Sequence, residues 1–261
     1  IAIIFLKNQT RPIIKLAEAS EKFGRGEDLD EFRPSGALEI RKAGQEFDKM
    51  RRRIIRHLNQ RSEMLSGISH DLRTPLTRIK LQLAMIKDKN LSKKLSSDVD
   101  DMEKMLNEYL QFASTGAKDK TETFDISELI LKLINNYSNP NIIQNFKEEI
   151  YFNGRKNLIA RCINNLIENS LKYAKKVEIS MEKQKDNLMI MVSDDGPGVP
   201  EKEHENIIKP FYKIDKSRSE SKSSVGLGLS IASDISRSHG GDIKFAKSKF
   251  GGLEVSISLP F

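Results

Sequence analysis

SGISHDLRTPLTRIKL, residues Ser66 to Leu81, lies inside a long run of helical periodicity and yet carries a proline, Pro75, in its interior. Leu65, Ile68, Leu72, Leu76, Ile79, Leu83 and Ile86 recur mostly at steps of three and four, which is the seam of a coiled coil or helical bundle. His70 is two positions from both Ile68 and Leu72, about 200° round the helix from that seam, so it is expected on the outside. An exposed histidine by itself is ordinarily a surface residue. Here Asp71 adjoins it, and Thr74 lies one turn further on the same face. A neighbouring carboxylate can hold the imidazole tautomer or take its proton, which leaves the other ring nitrogen nucleophilic near neutral pH. Pro75 has no N–H, so the carbonyl of Asp71 loses its helical partner and the helix can bend there. The stretch reads as a nucleophile mounted beside a hinge.

Outward from it the periodicity continues. Ile40, Ala43, Phe47, Met50, Ile54 and Leu58 precede the stretch; after a break at Lys87-Asp-Lys-Asn90 the pattern resumes with Leu95, Val99, Met102, Leu106 and Tyr109. Residues 60–115 are therefore expected to form a helical hairpin. Two helices bury too little alone, so a dimer completing a four-helix bundle is the economical solution. Upstream, Gly24, Gly26, Pro34 and Gly36 punctuate a connector between a short helix, expected over residues 12–23, and one starting near Leu38. The chain opens with the apolar run Ile1-Ala-Ile-Ile-Phe-Leu6, followed by Lys7 and Arg11. Six residues cannot cross a bilayer, which takes about 20. The run is either an ordinary helix start or the end of a membrane helix with cations following on the cytoplasmic side.

Composition narrows the class. With 38% hydrophobic and 31% charged residues over 261 positions, the chain reads as globular and rich in surface helix. A net charge of +7 raises nucleic acid as a partner. The cations form no single stripe, however, and no helix-turn-helix, zinc-finger or RNA-binding signature is present, so no nucleic-acid partner is expected. Arg51-Arg52-Arg53 with Arg56 is the densest cluster, read as a solvated helix face with an anionic lipid or acidic partner as the alternative. The single Cys162 cannot form an intrachain disulfide and is expected as a small core residue.

From about Thr121 the pattern changes. FDISELILKLINNY is expected to be a helix with Asp125 or Ser127 near its start, and RKNLIARCINNLIENSLKYA a second, longer one. VEISMEK and NLMIMVSDD read as paired strands, Gly226–Ser238 as a helix, and GDIKFAKS with GGLEVSISLP as a closing hairpin. Mixed strands with three helices imply an α+β sandwich, one sheet covered by helices on one face. The whole is thus expected to be multi-domain, an all-α N-terminal part followed by an α+β C-terminal part.

That second part carries three further constellations. Asn165, Asn169 and Lys172 share a helix face, and a neutral amide oxygen suits Mg²⁺ held jointly with phosphate oxygens, although asparagines on a helix surface need mean nothing. Asp194-Asp195-Gly196-Pro197-Gly198 follows an apolar strand and is either a simple turn or a carboxylate placed to accept a hydrogen bond from a base amino group. Gly226-Leu-Gly228 opens a helix, where free N–H groups favour phosphate. It is neither a Walker A loop nor a dinucleotide fingerprint.

Taken in order, His-Asp-x-x-Thr-Pro on a hairpin, Asn-x-x-x-Asn, Asp-x-Gly-x-Gly and Gly-x-Gly resemble the sensor histidine kinases of two-component systems, over essentially the whole chain. SHDLRTPLTRIKL resembles the phosphoacceptor box, NNLIENSLKYA the N box, DDGPGVP the G1 box, KPFYKIDKSR the F box and VGLGLSI the G2 box. RPIIKLAEASEKFGRGED with EIRKAGQEFDKMRRRI resembles a HAMP linker, and with the late SHGGDIKF the details are similar to the EnvZ-like branch. The resemblance implies four regions: 1–6, the end of a membrane helix; 7–57, HAMP linker; 58–117, dimerisation and phosphotransfer hairpin; 118–261, ATP-binding domain. It implies that His70 is phosphorylated from ATP with Mg²⁺, that Asp71 is its acid/base partner, and that Thr74 positions water when the regulator is dephosphorylated. Asn169 would ligate Mg²⁺ with Asn165 beside it. Lys172 would contact phosphate, Tyr173 adenine, and Asp194 the adenine amino group. Gly196 and Gly198 would shape the pocket, while Gly226 and Gly228 receive phosphates beneath a lid over residues 213–224. Implied partners are a second copy of the chain and an OmpR-like response regulator, at the cytoplasmic side of a bacterial inner membrane.

One departure stands out. The lid usually reaches the G2 box through Gly and Thr or Ser, whereas here it is Ser223-Ser224-Val225, without a hydroxyl at 225 and with serines less permissive than glycine. On it rests an alternative reading, a catalytically weak, phosphatase-biased dimeric scaffold. A non-kinase ATPase of the gyrase or Hsp90 type is a third reading, which leaves the exposed His-Asp-x-x-Thr-Pro without a purpose.

Overall fold

The computed structural model describes residues 2–26, 32–86, 88–113, 120–137, 139–214 and 226–261, with the backbone alone at 2–9, 66, 69 and 111–113. Helix α1 spans Ala2–Gly24 with Pro12 inside it, so the helix expected from residue 12 begins ten residues earlier. No helix among the described residues is long and apolar enough to cross a membrane. The connector folds back onto the helices. Phe47 meets Phe23 and Phe32 edge-on at 6.2 and 5.4 Å, the favoured geometry for aromatic pairs. Gly36, at φ +99°, lies so close to the Pro12 ring that a β-carbon there would stand 2.7 Å from it.

Helix α2 runs from Leu38 to Ala84 without interruption, so the linker helix and the His70 helix are one rod of 47 residues. Pro75 sits inside this rod and does not end it. Helix α3, Lys89–Ala113, returns antiparallel. Its first turn is capped by Asp88, whose carboxylate accepts from the N–H groups of Asn90 and Leu91 at 2.9 and 3.1 Å. Across the hairpin Lys80 bridges Asp100 and Glu103, and Leu83 and Val99 are buried. Much of the expected seam is uncovered within one chain: Met50, Ile54, Leu58, Leu72, Ile79, Met102 and Tyr109 are all exposed.

The C-terminal part is built from β1 Glu122–Asp125, α4 Ile126–Asn136, β2 Ile142–Asn145, β3 Tyr151–Gly154, α5 Lys156–Tyr173, β4 Val177–Gln184, β5 Asn187–Asp194, α6 Gly228–Ser238, β6 Asp242–Lys247 and β7 Leu253–Pro260. Five strands form one sheet in the order β2-β4-β5-β7-β6; only the β2–β4 pair is parallel, and β1 and β3 make a separate two-stranded sheet. The helical face of the sheet is the core. Leu253, Val255, Ile257 and Leu259 alternate inward along β7, with Ile126, Ile159, Ile163 and Ile167 packed in the same cluster from α4 and α5. Cys162 lies in this cluster, and burial pushes its thiol up to about 12. Asp125 caps α4 through the Ser127 N–H at 2.8 Å, as its position implied. Helix α6 begins at Gly228 rather than at the expected Gly226. Gly226 has φ +79°, which an α-helix cannot include.

His239 is buried at the end of α6. Its Nδ1–H donates to the Ile235 carbonyl at 2.8 Å, and its Nε2 accepts from the Arg155 backbone N–H at 3.2 Å. Burial, with Arg155 adjacent, pulls it down to about 4. A base held neutral in this way contributes stability in full above pH ~6.5, and that contribution is lost as pH falls towards 4, because the unfolded chain takes up the proton first. Urea melts are expected to show roughly 3 kcal/mol lost over that interval on this account, and His239→Gln to flatten that part of the pH dependence.

Candidate functional site

The first half of the site is the outer face of α2. The His70 and Asp71 side chains are 82% and 85% exposed, with His70 Nδ1 at 3.5 Å from Asp71 Oδ1. The outward placement expected from the seam is what the fold produces. Because Nδ1 faces the carboxylate, Nε2 is the ring nitrogen left towards solvent. Thr74 donates its hydroxyl to the His70 carbonyl at 3.3 Å, so in this state it is engaged with the backbone one turn back.

The second half surrounds the C-terminal end of β5. Asp194 is 4% exposed, yet among the described residues its carboxylate has no ion-pair partner. Oδ1 accepts from the Gly196 and Leu253 N–H groups, both at 3.0 Å, which holds the group in one orientation. Gly196 is tight against it: a β-carbon there would stand 3.1 Å from Asp194 Oδ1 and 3.3 Å from the Tyr173 carbonyl. Gly198 takes φ +69°, so the loop after β5 depends on glycine for its turn. Asp195 has a separate duty. Its Oδ1 accepts from the Lys176 and Lys175 N–H groups at 2.9 and 2.8 Å, and these bonds hold its carboxyl below the usual range. It ties the end of β5 to the start of β4.

Helix α5 lines one side. Asn165 and Asn169 are half-buried on it, and Asn165 donates to the Arg161 carbonyl at 2.9 Å. Lys172 lies over the Tyr173 ring at 5.0 Å, and Tyr173 is 51% exposed. A β-carbon on Gly228 would meet Asn165 Oδ1 at 3.5 Å, an ordinary contact; packing alone therefore does not demand glycine there. Gly226 is different, since its φ of +79° and the Tyr212 carbonyl 3.0 Å from a β-carbon both require it. Its carbonyl accepts from Phe211 N at 3.0 Å. Phe211 in turn stacks on Tyr109 of α3, ring centroids 6.2 Å apart. Phe211 thus joins the glycine loop to the hairpin. Residues 215–225, which include Ser223-Ser224-Val225 and most of the expected lid, lie outside the described residues.

The structure therefore gathers Asn165, Asn169, Lys172, Tyr173, Asp194, Gly196, Gly198, Gly226 and Gly228 around the ends of β5 and α5 and the start of α6, and leaves His70, Asp71 and Thr74 on α2. Sequence reading missed the contribution of Leu253 and Gly252 to Asp194. The tandem Gly251-Gly252 was the available signal. Among the described residues no group of three or more His, Cys, Asp or Glu side chains forms a metal cage.

Three family profiles match consecutive parts of the chain: HAMP domain over residues 4–56, His Kinase A (phospho-acceptor) domain over 60–118, and histidine kinase-, DNA gyrase B-, and HSP90-like ATPase over 154–261. The sensor histidine kinase GtrS of Pseudomonas aeruginosa is 34% identical over 97% of this chain. The chain belongs to the sensor histidine kinase family. The sensor histidine kinase CpxA of Escherichia coli is 29% identical over 96% of the chain. The chain spans 53% of the length of GtrS and 58% of CpxA. Among solved structures, full-length ShkA in complex with AMPPNP matches 77% of this chain and 46% of its own at a TM-score of 0.62 and 21% identity. The Acinetobacter baumannii histidine kinase AdeS matches 73% of this chain and 97% of its own at 0.51 and 20%. These likenesses concern the fold: a helical N-terminal region and a C-terminal sheet domain of the histidine-kinase ATPase type.

Proposed function

We propose that the chain is the signalling and catalytic part of a membrane-anchored sensor kinase, which phosphorylates its own His70 from Mg-ATP, passes the phosphoryl group to an aspartate of an OmpR-like response regulator, and also dephosphorylates that regulator. The boundaries proposed are residues 1–6 for the end of a membrane helix, 7–57 for the HAMP linker, 58–117 for the phosphotransfer hairpin and 118–261 for the ATP-binding domain. The observation that carries the reading is an exposed His70 paired with Asp71 on a helix, in one chain with a buried carboxylate, Asp194, framed by glycines. The uncovered seam residues on α2 and α3 support a homodimer, since a second hairpin would bury them.

The residues fit a purine nucleotide. Asp194 is a fixed acceptor, held by the Gly196 and Leu253 N–H groups, and Gly196 brings backbone rather than a side chain against it. Asn169, half-buried on α5, would hold Mg²⁺ through its amide oxygen jointly with the phosphate oxygens. ATP when bound supplies the γ-phosphoryl group, and Mg²⁺ offsets its charge. The chain does the rest by positioning. Asp71 accepts the Nδ1 proton of His70 and so leaves the Nε2 lone pair free to attack. Asn165, held by the Arg161 carbonyl, backs the phosphate side, Lys172 meets the phosphates, Tyr173 covers the base, and Gly226 with Gly228 offers N–H groups at the start of α6. Incubation with Mg-ATP should yield acid-labile, base-stable phosphate on the chain, and a phosphotransfer profile against candidate regulators should then select one. No label at saturating ATP would sink the kinase reading. If ATP binding were also undetectable, the scaffold suggested by Ser223-Ser224-Val225 would replace it.

Thr74 is proposed to place water in the dephosphorylation step, for which its hydroxyl must leave the His70 carbonyl. Pro75 makes that exchange easier by freeing the carbonyl of Asp71 one turn back. Pro75→Ala restores the missing N–H and should change the ratio of kinase to phosphatase activity by about threefold or more. A ratio equal to wild type would retire the hinge, with the role of His70 untouched.

A further inference from the structure

The glycine pair between β6 and β7 is required by something other than its own turn. The turn closes on itself: Ser248 N donates to the Gly252 carbonyl at 3.0 Å, Gly251 N to the Ser248 carbonyl at 2.9 Å, and Phe250 N to Ser248 Oγ at 3.1 Å. Gly251, at φ +95°, answers the needs of this backbone, and a β-carbon on it would meet open space. Gly252 has no such dihedral demand. A β-carbon there would overlap Asp194 Oδ1 and stand 2.5 Å from both the Asp194 carbonyl oxygen and the Gly196 nitrogen. Two of those three atoms are backbone and cannot swing aside. The next residue, Leu253, donates its N–H to Asp194 Oδ1. On the other side the loop after β5 comes near the same turn, since a β-carbon on Gly198 would stand 3.4 Å from the Gly252 carbonyl oxygen.

The turn is also anchored at its rim. The Phe250 ring lies beneath Lys176 Nζ at 4.1 Å and Lys249 Nζ at 5.2 Å, contacts in which the cations are drawn to the ring face. Lys249 pairs with Glu178 at 2.6 Å, and Asn145 reaches the same carboxylate oxygen at 3.2 Å. The anchor thus connects the turn to β4 and β2, the far side of the sheet.

We propose that Gly252 is a positioning residue for ligand choice: the turn it forms presses against Asp194, turns Oδ1 inward onto two N–H groups, and leaves Oδ2 as the one acceptor offered to a purine. This rests on the reading of Asp194 as the base-binding residue. Among the described residues both donors converge on Oδ1 and none reaches Oδ2. A purine with an amino group at position 6 can donate to that oxygen. A 6-oxo purine presents an acceptor to an acceptor and is rejected, as sites built around a buried polar group reject a ligand that cannot satisfy it. Selectivity for ATP over inosine triphosphate would then depend on residue 252, which touches neither nucleotide.

The test measures dissociation constants of the full chain for ATP and for inosine triphosphate, with thermal melting alongside. In Gly252→Ala the affinity for ATP should fall about tenfold or more while that for inosine triphosphate changes little, so that the ratio collapses. Equal losses for both nucleotides would mark a merely structural glycine and overturn the proposal, as would an unchanged ratio. If Gly252→Ala has no cooperative melt, Phe250→Ala decides, because it frees the turn from its anchor without placing an atom near Asp194. A reduced ATP preference supports the proposal, and a wild-type ratio overturns it. Failure of the wild type to bind ATP at all would remove the nucleotide reading first and this inference with it, an outcome distinct from ATP binding with unaltered discrimination.

Discussion

His70→Gln is expected to abolish labelling from Mg-ATP, by on the order of 10³-fold or more, while nucleotide affinity and melting temperature stay at wild-type values. The side chain is 82% exposed and packs against nothing whose loss would unfold α2, so the substitution removes chemistry without removing structure. Glutamine keeps similar reach and polarity but has no basic nitrogen, and its amide cannot attack phosphorus. Asp71→Asn should be milder, since the amide can still orient the imidazole through its oxygen but no longer favours the charge that builds on the ring. The measurement is retention of acid-labile phosphate under matched saturation with ATP. Labelling of His70→Gln at the wild-type level would mean that another residue is the acceptor, and the role proposed for α2 would be lost.

Asp194→Asn is expected to reduce ATP affinity by about 2 kcal/mol, roughly 30-fold, and to narrow or reverse the preference for a 6-amino over a 6-oxo purine. Two N–H groups already point at Oδ1, so the amide must place its oxygen there. Its NH₂ group then occupies the place of Oδ2 and faces the ligand as a donor. A 6-amino group meets it as donor against donor, whereas a 6-oxo group would be accepted. Because the internal bonds survive, the melting temperature should fall by only a few degrees. Binding titrations with ATP and inosine triphosphate check both parts. Undiminished ATP affinity in this variant would remove Asp194 from the site.

Much of this was legible in one dimension. The three-and-four spacing around His70 placed it outside the seam, and the structure finds it there. The pairings of VEISMEK with NLMIMVSDD and of GDIKFAKS with GGLEVSISLP followed from strand patterning, and of the two cap candidates, Asp125 and Ser127, the structure uses Asp125. Other features were hidden for identifiable reasons. Whether α2 breaks at Pro75 cannot be decided from the residue, because one missing hydrogen bond in a long rod competes with the packing of its neighbours. That α6 starts at Gly228 depends on the dihedral of Gly226. The burial of His239 arises from Arg155, 84 residues away, and no local pattern announces such a partner.

Local order in the chain by itself determined the sequence of elements, the outward-facing His70 and the types of group at the ends of β5 and α5, because periodicity, capping and turn chemistry act over a few residues. Only the tertiary structure decided which groups meet. Asp194 at the end of β5 takes its orientation from Leu253, which β7 brings beside it from 59 residues on, and Phe211 links the glycine loop to Tyr109 of α3. Those contacts depend on strand order and helix packing, which are fixed by burial of the whole core and not by any segment of it.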